Sequence, residues 1–231
     1  ALSKRAEVEV FGVASADEGL EIRARLPNAR LFPAAFPARW FRGQGLLRAL
    51  CREAKRFDIL HAHMLWDYPV FATWLASRRT GVPFVVTPHG SVSESWRYTA
   101  AHKRVYRWIF GERMLRDAAC VHVLTEKERA ALLLFCPGIR TCVVPNGLEP
   151  SAFRDFQSET ASAETPSSQI LYLGRIAQHK GLAMLIRAWC AIDLGRRRGW
   201  SLVLAGPDYR GEAQAIRALA AQDGARDSVR F

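Results

Sequence analysis

No stretch of this 231-residue chain approaches the ~18 uninterrupted apolar residues that would span a bilayer, so no transmembrane segment is expected. The opening ALSKRAEVEVFG passes straight into a strand-like pattern, with neither the charged nor the apolar region of a secretory leader. It also lacks an initiator methionine, and the expectation is a chain that begins inside a longer protein. Cysteine is sparse: Cys51, Cys120, Cys136, Cys142 and Cys190 are odd in number and have no C-x-x-C spacing, which argues against a zinc site or a disulfide framework and for buried thiols. A G-x-G-x-x-G fingerprint is missing too. Its nearest match, GQGLLR from Gly43 to Arg48, lacks the third glycine and follows no convincing strand, which speaks against a dinucleotide dehydrogenase.

What is present is a soluble, globular composition with 49% apolar residues, enough for a sizeable core. The net charge of +11 is uneven, with 22 Lys+Arg against 14 Asp+Glu in residues 1–150 and 11 against 8 in residues 151–231. Such a surface suits anionic partners, and charge alone does not choose among phosphorylated substrates, acidic lipid and nucleic acid.

Short β-branched or aromatic runs (VEVFGV, ARLFPA, FDILHAH, PFVVTPHG, CVHVLT, TCVVPNG) alternate with helical stretches such as GLLRALCREAKR and FATWLASRR. That alternation predicts a parallel α/β sheet with crossover helices, its strands buried on both faces. DFQSETASAETPSSQ, residues 155–169, is poor in large apolar residues and reads as a linker. The pattern then restarts: ILYLGRI, a helix GLAMLIRAWCAI with Leu182, Leu185, Ile186 and Trp189 on one face, WSLVLAGP, a helix EAQAIRALAAQ and a last VRF. The domains expected are 1–150, a linker at 151–169, and 170–231 as the start of a second domain that stops short of the usual ~100–150 residues.

In open α/β sheets ligands gather beyond the carboxyl ends of the strands, so the residues that end the strand-like runs are the candidates. His89 and Gly90 end FVVTPHG, Asn146 and Gly147 end CVVPNG, and Gly174 and Arg175 end ILYLG. Turn chemistry explains PHG or PNG taken singly, and three such ends favour a shared cleft. GRIAQHKG, Gly174 to Gly181, resembles a P-loop with His179 where the glycine should be and Gly181 in place of the magnesium-binding hydroxyl. Arg175 offers a planar donor fork, Lys180 a mobile ammonium, and a helix beginning near Gly181 its unpaired amides. A diphosphate bound without metal suits that set. His61 and His63 in HAH stand at strand spacing with no third ligand nearby, so strand-end hydrogen bonding is expected of them rather than metal binding. Trp66, Asp67 and Tyr68 follow in a loop that either holds a sugar or is packed by its own aromatics.

The ordered set HAHMLWDYP, VVTPHG, VLTEKERA, VVPNGLE and LGRIAQHKG resembles glycosyltransferase family 4 over nearly the whole chain. The resemblance implies the GT-B fold, two Rossmann-like parallel-sheet domains, the first holding acceptor and the second, truncated here, holding donor. It implies a retaining transferase taking sugar from a nucleotide-diphosphate sugar, without cofactor or metal. Arg175 and Lys180, with Gly174 and Gly181, match the grip on the donor diphosphate; His89 matches the catalytic-site histidine that positions the transferred sugar; Gly90, Asn146 and Gly147 match the cleft. Trp66, Asp67 and Trp96 fall where family loops meet acceptor. The family's first strand with its glycine-rich loop, and a Glu-x7-Glu segment that contacts donor sugar and ribose, are not found in this chain, which alone is expected to be inactive. The partners implied are a nucleotide sugar and a glycan or lipid-linked acceptor, not nucleic acid, in bacterial surface polysaccharide or glycan assembly. The implied location is cytoplasmic, peripheral on the inner membrane face. Two other readings stay open: a non-catalytic diphosphate-binding remnant, and a sugar-nucleotide epimerase, which would have to explain GR-x4-KG and PNG together. Residues 38–56, ARWFRGQGLLRALCREAKR, add an expected weak attachment to anionic membrane through Arg48, Arg52 and Lys55, with Leu46, Leu47, Leu50, Trp40 and Phe41 close by. An ordinary surface helix with its leucines in the core is the competing reading.

Overall fold

A computed structural model describes residues 5–36, 40–92, 105–147, 168–209, 211–222 and 224–231. The chain divides into two compact units, Ala1–Phe153 and Arg154–Phe231.

In the first unit β1 (Phe11–Ala14) is followed by α1 (Ala16–Arg25), β2 (Arg30–Ala35) and the two-residue β3 (Arg42–Gly43). Ser15 starts α1 with a capping box, its hydroxyl accepting from the Glu18 amide while the Glu18 carboxylate accepts from the Ser15 amide. Next come α2 (Leu46–Glu53), β4 (Leu60–His63), α3 (Tyr68–Thr80) and β5 (Phe84–Thr87). A π-helical turn at Arg107–Gly111 leads into α4 (Glu112–Asp117), then β6 (Cys120–Val123), α5 (Glu126–Phe135) and β7 (Thr141–Val143).

These strands form two sheets, ordered β1-β2-β3 and β4-β5-β6-β7. All pairings are parallel except β2 with β3. One core runs beneath both, with Leu46 and Leu50 of α2, Trp74 of α3, Phe84 of β5 and Leu132 and Phe135 of α5 among its members. Burial on both faces of every strand does not hold for β4. Leu60 and Ala62 are buried while His61 and His63 face outward, because a strand turns alternate side chains to one side.

The second unit has β8 (Ser168–Leu173), α6 (Leu182–Ala191), α7 (Leu194–Arg197), β9 (Trp200–Ala205), α8 (Glu212–Gln222) and β10 (Val229–Arg230). Its parallel sheet is ordered β10-β9-β8. Ser168 and Gln169, expected in the linker, already pair with Trp200 and Ser201. Leu182, Ile186 and Trp189 of α6 are buried with Leu202 and Leu204 of β9 and Ile216 of α8, and Leu185 packs against that cluster. On the edge strand β8, Leu171 and Leu173 point to the same side and are 62% and 77% exposed.

These burials give opposite expectations for two leucine changes. Leu202→Ala removes a fully buried side chain and is expected to lower stability by about 2–5 kcal/mol. Leu171→Thr is expected to stay within about 0.5 kcal/mol of the parent, as exposed substitutions do. Urea unfolding followed by tryptophan fluorescence measures both, and equal losses would contradict the packing described.

Candidate functional site

The carboxyl ends of β4, β5 and β6 carry four of the chain's histidines on adjoining positions. Parallel register sets His61 beside Val85 and His63 beside Thr87, so both β4 histidines meet the end of β5. The rings of His61 and His63 stack at 4.5 Å between centroids, and those of His63 and His89 at 5.1 Å. His61 Nε2 lies 2.7 Å from Thr87 Oγ1, and His63 Nδ1 lies 2.8 Å from His89 Nε2. The strand-end hydrogen bonding expected of HAH is thus present, with partners that spacing along one strand could not name.

The direction of this network follows from one acceptor. His122 Nε2 lies 2.7 Å from the carbonyl oxygen of Val144, which can only accept, so Nε2 carries hydrogen. In neutral His122 the other nitrogen, Nδ1, is then an acceptor, and the Thr87 hydroxyl 2.9 Å away donates to it. Thr87 Oγ1 accepts in turn from the Nε2–H of His61. Thr87 is fully buried, and its single hydroxyl, committed to His122, fixes the tautomer of His61. Partial burial of the ring against Thr87, then the neighbouring His63, His122 and His89, hold the pKa of His61 down to about 4. Burial followed by His89 and His122 lowers that of His63 as well.

His89 itself sits at φ 51°, a left-handed conformation that a non-glycine residue seldom adopts, and Gly90 follows at φ 70°. The turn is held from below by Glu128, only 9% exposed. Its carboxylate accepts from the Gly90 amide at 2.6 Å and from the Leu124 amide at 2.8 Å, joining the turn after β5 to the turn after β6. Glu128 lies in the first turn of α5, where the hydroxyl of the N-cap Thr125 accepts from the Glu128 amide. Sequence reasoning missed Thr87, His122 and Glu128. Their signal was present in VVTPHG, CVHVLT and TEKE, where a polar residue interrupts or ends an apolar strand.

Asn146 and Gly147 are exposed just past Val144, the carbonyl that His122 holds. Trp66 is half-buried, donates its indole N–H to the Ser91 carbonyl at 3.0 Å, and packs against Tyr106 and Phe135. These contacts match the reading of a loop packed by its aromatics. Asp67 precedes α3 as its N-cap residue, and its charge, after burial, raises the pKa of Tyr106. Trp96 lies outside the described residues.

In the second unit Gly174 continues β8, its amide donating to the Ala205 carbonyl at 2.9 Å. The loop is then zipped to the segment after β9: the Ile176 amide donates to Pro207 and the Tyr209 amide to Ile176. Gly206 makes this possible, since a Cβ there would collide with the Gly174 carbonyl. A 3-10 turn, Gln178–Lys180, brings the chain to Gly181, which caps α6 at φ 72° with no side-chain hydrogen bond. The first amides of α6 have no intrahelical partners. Arg175 and Lys180 are exposed, and the Arg175 guanidinium lies 5.5 Å from the centre of the Tyr209 ring. Gly174, Arg175, Lys180 and Gly181 therefore belong to one strand-to-helix turn, with Tyr209 a member that sequence reasoning missed.

Residues 1–147 match the family model described as a glycosyl transferase 4-like domain. The chain belongs to that family. Among curated relatives, it is 29% identical over 190 residues to GDP-mannose:cellobiosyl-diphosphopolyprenol alpha-mannosyltransferase of Komagataeibacter xylinus, covering 78% of this chain and 44% of the relative. It is 30% identical over 203 residues to D-inositol 3-phosphate glycosyltransferase of Actinosynnema mirum, covering 81% and 48%. The chain spans about half the length of the curated relatives it matches. Solved structures with the same fold include Anabaena HepE in complex with UDP and glucose, with TM-score 0.70, 16% identity and coverage of 99% of this chain and 62% of that one. Sucrose-phosphate synthase of Thermosynechococcus elongatus follows with TM-score 0.62, 16% identity and coverage of 96% and 69%. The two α/β units thus have the GT-B fold expected of the family.

For this family member the site geometry gives two expectations. Thr87→Val keeps the shape but strands ring nitrogens of His61 and His122, and is expected to lower stability by about 1–3 kcal/mol, while Thr87→Ser restores most of the loss. Urea midpoints of the three proteins test this. The depressed pKa of His61 sets the sign of a pH effect: the unfolded chain takes up a proton below its ordinary value near 6.5 and the folded one does not until about 4. Stability from this group is therefore complete above about pH 6.5 and is lost as pH falls toward 4. His61→Gln should flatten the fall seen in the parent, and parallel profiles would refute the assignment.

Proposed function

We propose that this protein is a retaining glycosyltransferase that moves a sugar from a nucleoside diphosphate sugar to an acceptor hydroxyl. The observation that carries the reading is the turn at Gly174–Gly181, where Arg175, Lys180 and the uncapped start of α6 meet on one short segment. Arg175 and Lys180 grip the two phosphates, and the α6 amides add partial positive charge. With two cations in the turn and no hydroxyl after Lys180, the diphosphate is neutralised without a required metal.

In the step itself the acceptor hydroxyl attacks the anomeric carbon on the face from which the diphosphate departs. The new carbon–oxygen bond forms as the bond to the phosphate oxygen breaks, and the hydroxyl proton passes to that departing oxygen. The products are a glycoside with retained configuration and a nucleoside diphosphate. Negative charge growing on the diphosphate is met by Arg175, Lys180 and the helix start, an electrostatic stabilisation of the oxyanion-hole kind. His89 positions the sugar by hydrogen bonding; His63 bonds the His89 ring, and Glu128 holds the turn through the Gly90 amide.

The acceptor in this reading is a lipid-linked glycan. Support comes from the Komagataeibacter relative, whose name specifies a diphosphopolyprenol-bound acceptor, and from the basic first unit. The setting is surface polysaccharide assembly, with the protein peripheral on the inner face of the membrane. No helix among the described residues is long and apolar enough to cross one. Attachment by leucine insertion is set aside, since Leu46 and Leu50 lie in the core, and Trp40 packs on Tyr68 and Phe71.

Calorimetry with nucleoside diphosphate on the full-length protein tests the donor grip. Arg175→Ala and Lys180→Ala are each expected to weaken binding about tenfold, the loss of one charge-assisted hydrogen-bonding group. Unchanged affinity in both would overturn the assignment, and release of nucleoside diphosphate across a panel of donors would identify the sugar.

A further inference from the structure

A second group of cations lies in the first unit, outside the strand-end site. A cleft of about 620 Å³ runs between α2 and α3, lined by Gln44, Gly45, Leu47, Arg48, Cys51, Arg52, Tyr68 and Arg79. Tyr68 meets it at the start of α3, and Arg79 reaches Cys51 from the end of that helix, with Nη1 3.7 Å from the sulfur. No carboxylate lines the cleft, and among the described residues no ion pair joins Arg48, Arg52 or Arg79 to an acid. Several other arginines of the first unit do pair with acids. Arg30 and Arg56 pair with Glu53, Arg78 with Asp117, and Arg107 and Arg116 with Glu112.

Arg48 and Arg52 are four apart on one helix, a spacing at which like charges oppose helix formation. A third guanidinium from α3 adds to that repulsion, which a bound anion would turn into attraction. The planar forks of three arginines suit the oxygens of phosphate better than a single carboxylate, and the half-buried Leu47, Cys51 and Tyr68 wall the space between them. The buried Leu46 and Leu50 fix α2 to the core, so the cleft receives a group brought to it and does not insert into lipid.

We propose that the Arg48–Arg52–Arg79 cleft binds a diphosphate, that of the lipid-linked acceptor; the last part rests on the acceptor reading given above. The site holds the acceptor by its charged linker at the membrane surface, separately from the donor's diphosphate at Arg175 and Lys180.

The test uses the full-length protein with Arg175→Ala and Lys180→Ala in every sample, so that the donor turn does not report. Calorimetry with inorganic pyrophosphate compares this parent with Arg48→Gln/Arg52→Gln/Arg79→Gln and with a charge-matched control away from the cleft, Arg23→Gln/Arg25→Gln/Arg140→Gln. All the substituted residues of these two sets are exposed, and matching thermal midpoints confirm folding. The cleft variant is expected to lose about tenfold or more in affinity while the control keeps it. Equal binding by parent and cleft variant overturns the site. Flotation then separates the sources of phosphate: recovery with phosphatidylcholine vesicles carrying a polyprenyl diphosphate, lost in the cleft variant only, supports the lipid-linked ligand. Equal recovery with phosphatidylglycerol vesicles, reduced alike by both arginine sets, overturns it in favour of diffuse charge. Pyrophosphate binding in the cleft with no flotation on any vesicle assigns the site to a free phosphate and overturns the lipid part. Undiminished nucleoside diphosphate binding in the doubly substituted parent would sink the donor assignment and leave the cleft result standing.

Discussion

A backbone carbonyl has no proton to give, and at Val144 that limitation organises the ligand-facing end of the first unit. It compels His122 to donate, leaves Thr87 one direction for its hydroxyl, and gives His61 one tautomer. The ends of β4, β5, β6 and the residue after β7 are thereby joined by side chains as well as by the sheet. Glu128 does the same for the two turns above them, accepting from amides on both. A histidine in an unfavourable backbone conformation, His89, can persist there because its neighbours leave it no other place.

Much of this was legible in the sequence, for reasons that differ between elements. β5, β6, β7 and β9 are short apolar runs bounded by turn residues, and α6 and α8 bury apolar faces at helical spacing, so local pattern and tertiary packing agree. The two-residue β3 has no such pattern, being held by antiparallel pairing with Ala34 and Ala35. β4 broke the expectation of full burial because HAH alternates, a period visible in three letters but outweighed by the apolar FDIL before it.

The site divided in the same way. Glycine and proline turns at strand ends announce where a ligand can approach, and the turns at His89, Asn146 and Gly174 stand out for that reason. What holds those turns comes from residues distant in sequence: Glu128 is 38 positions from Gly90, and His122 is 35 from Thr87. No single-strand or single-helix period carries such pairings. Trp66 shows the opposite limit, since an exposed-looking aromatic in a loop was spoken for by Ser91, Tyr106 and Phe135.

The contact of Gly174 with Gly206 has a bearing on engineering. Their backbones meet so closely that neither the loop after β8 nor the segment after β9 can be exchanged alone; the two are halves of one part. A chimaera that imports a different anion-binding turn must bring 174–181 and 205–209 together, with the glycine of the second half unchanged. Tyr209, riding on Ile176 and beside Arg175, then becomes a natural optical reporter of whether the imported part has seated.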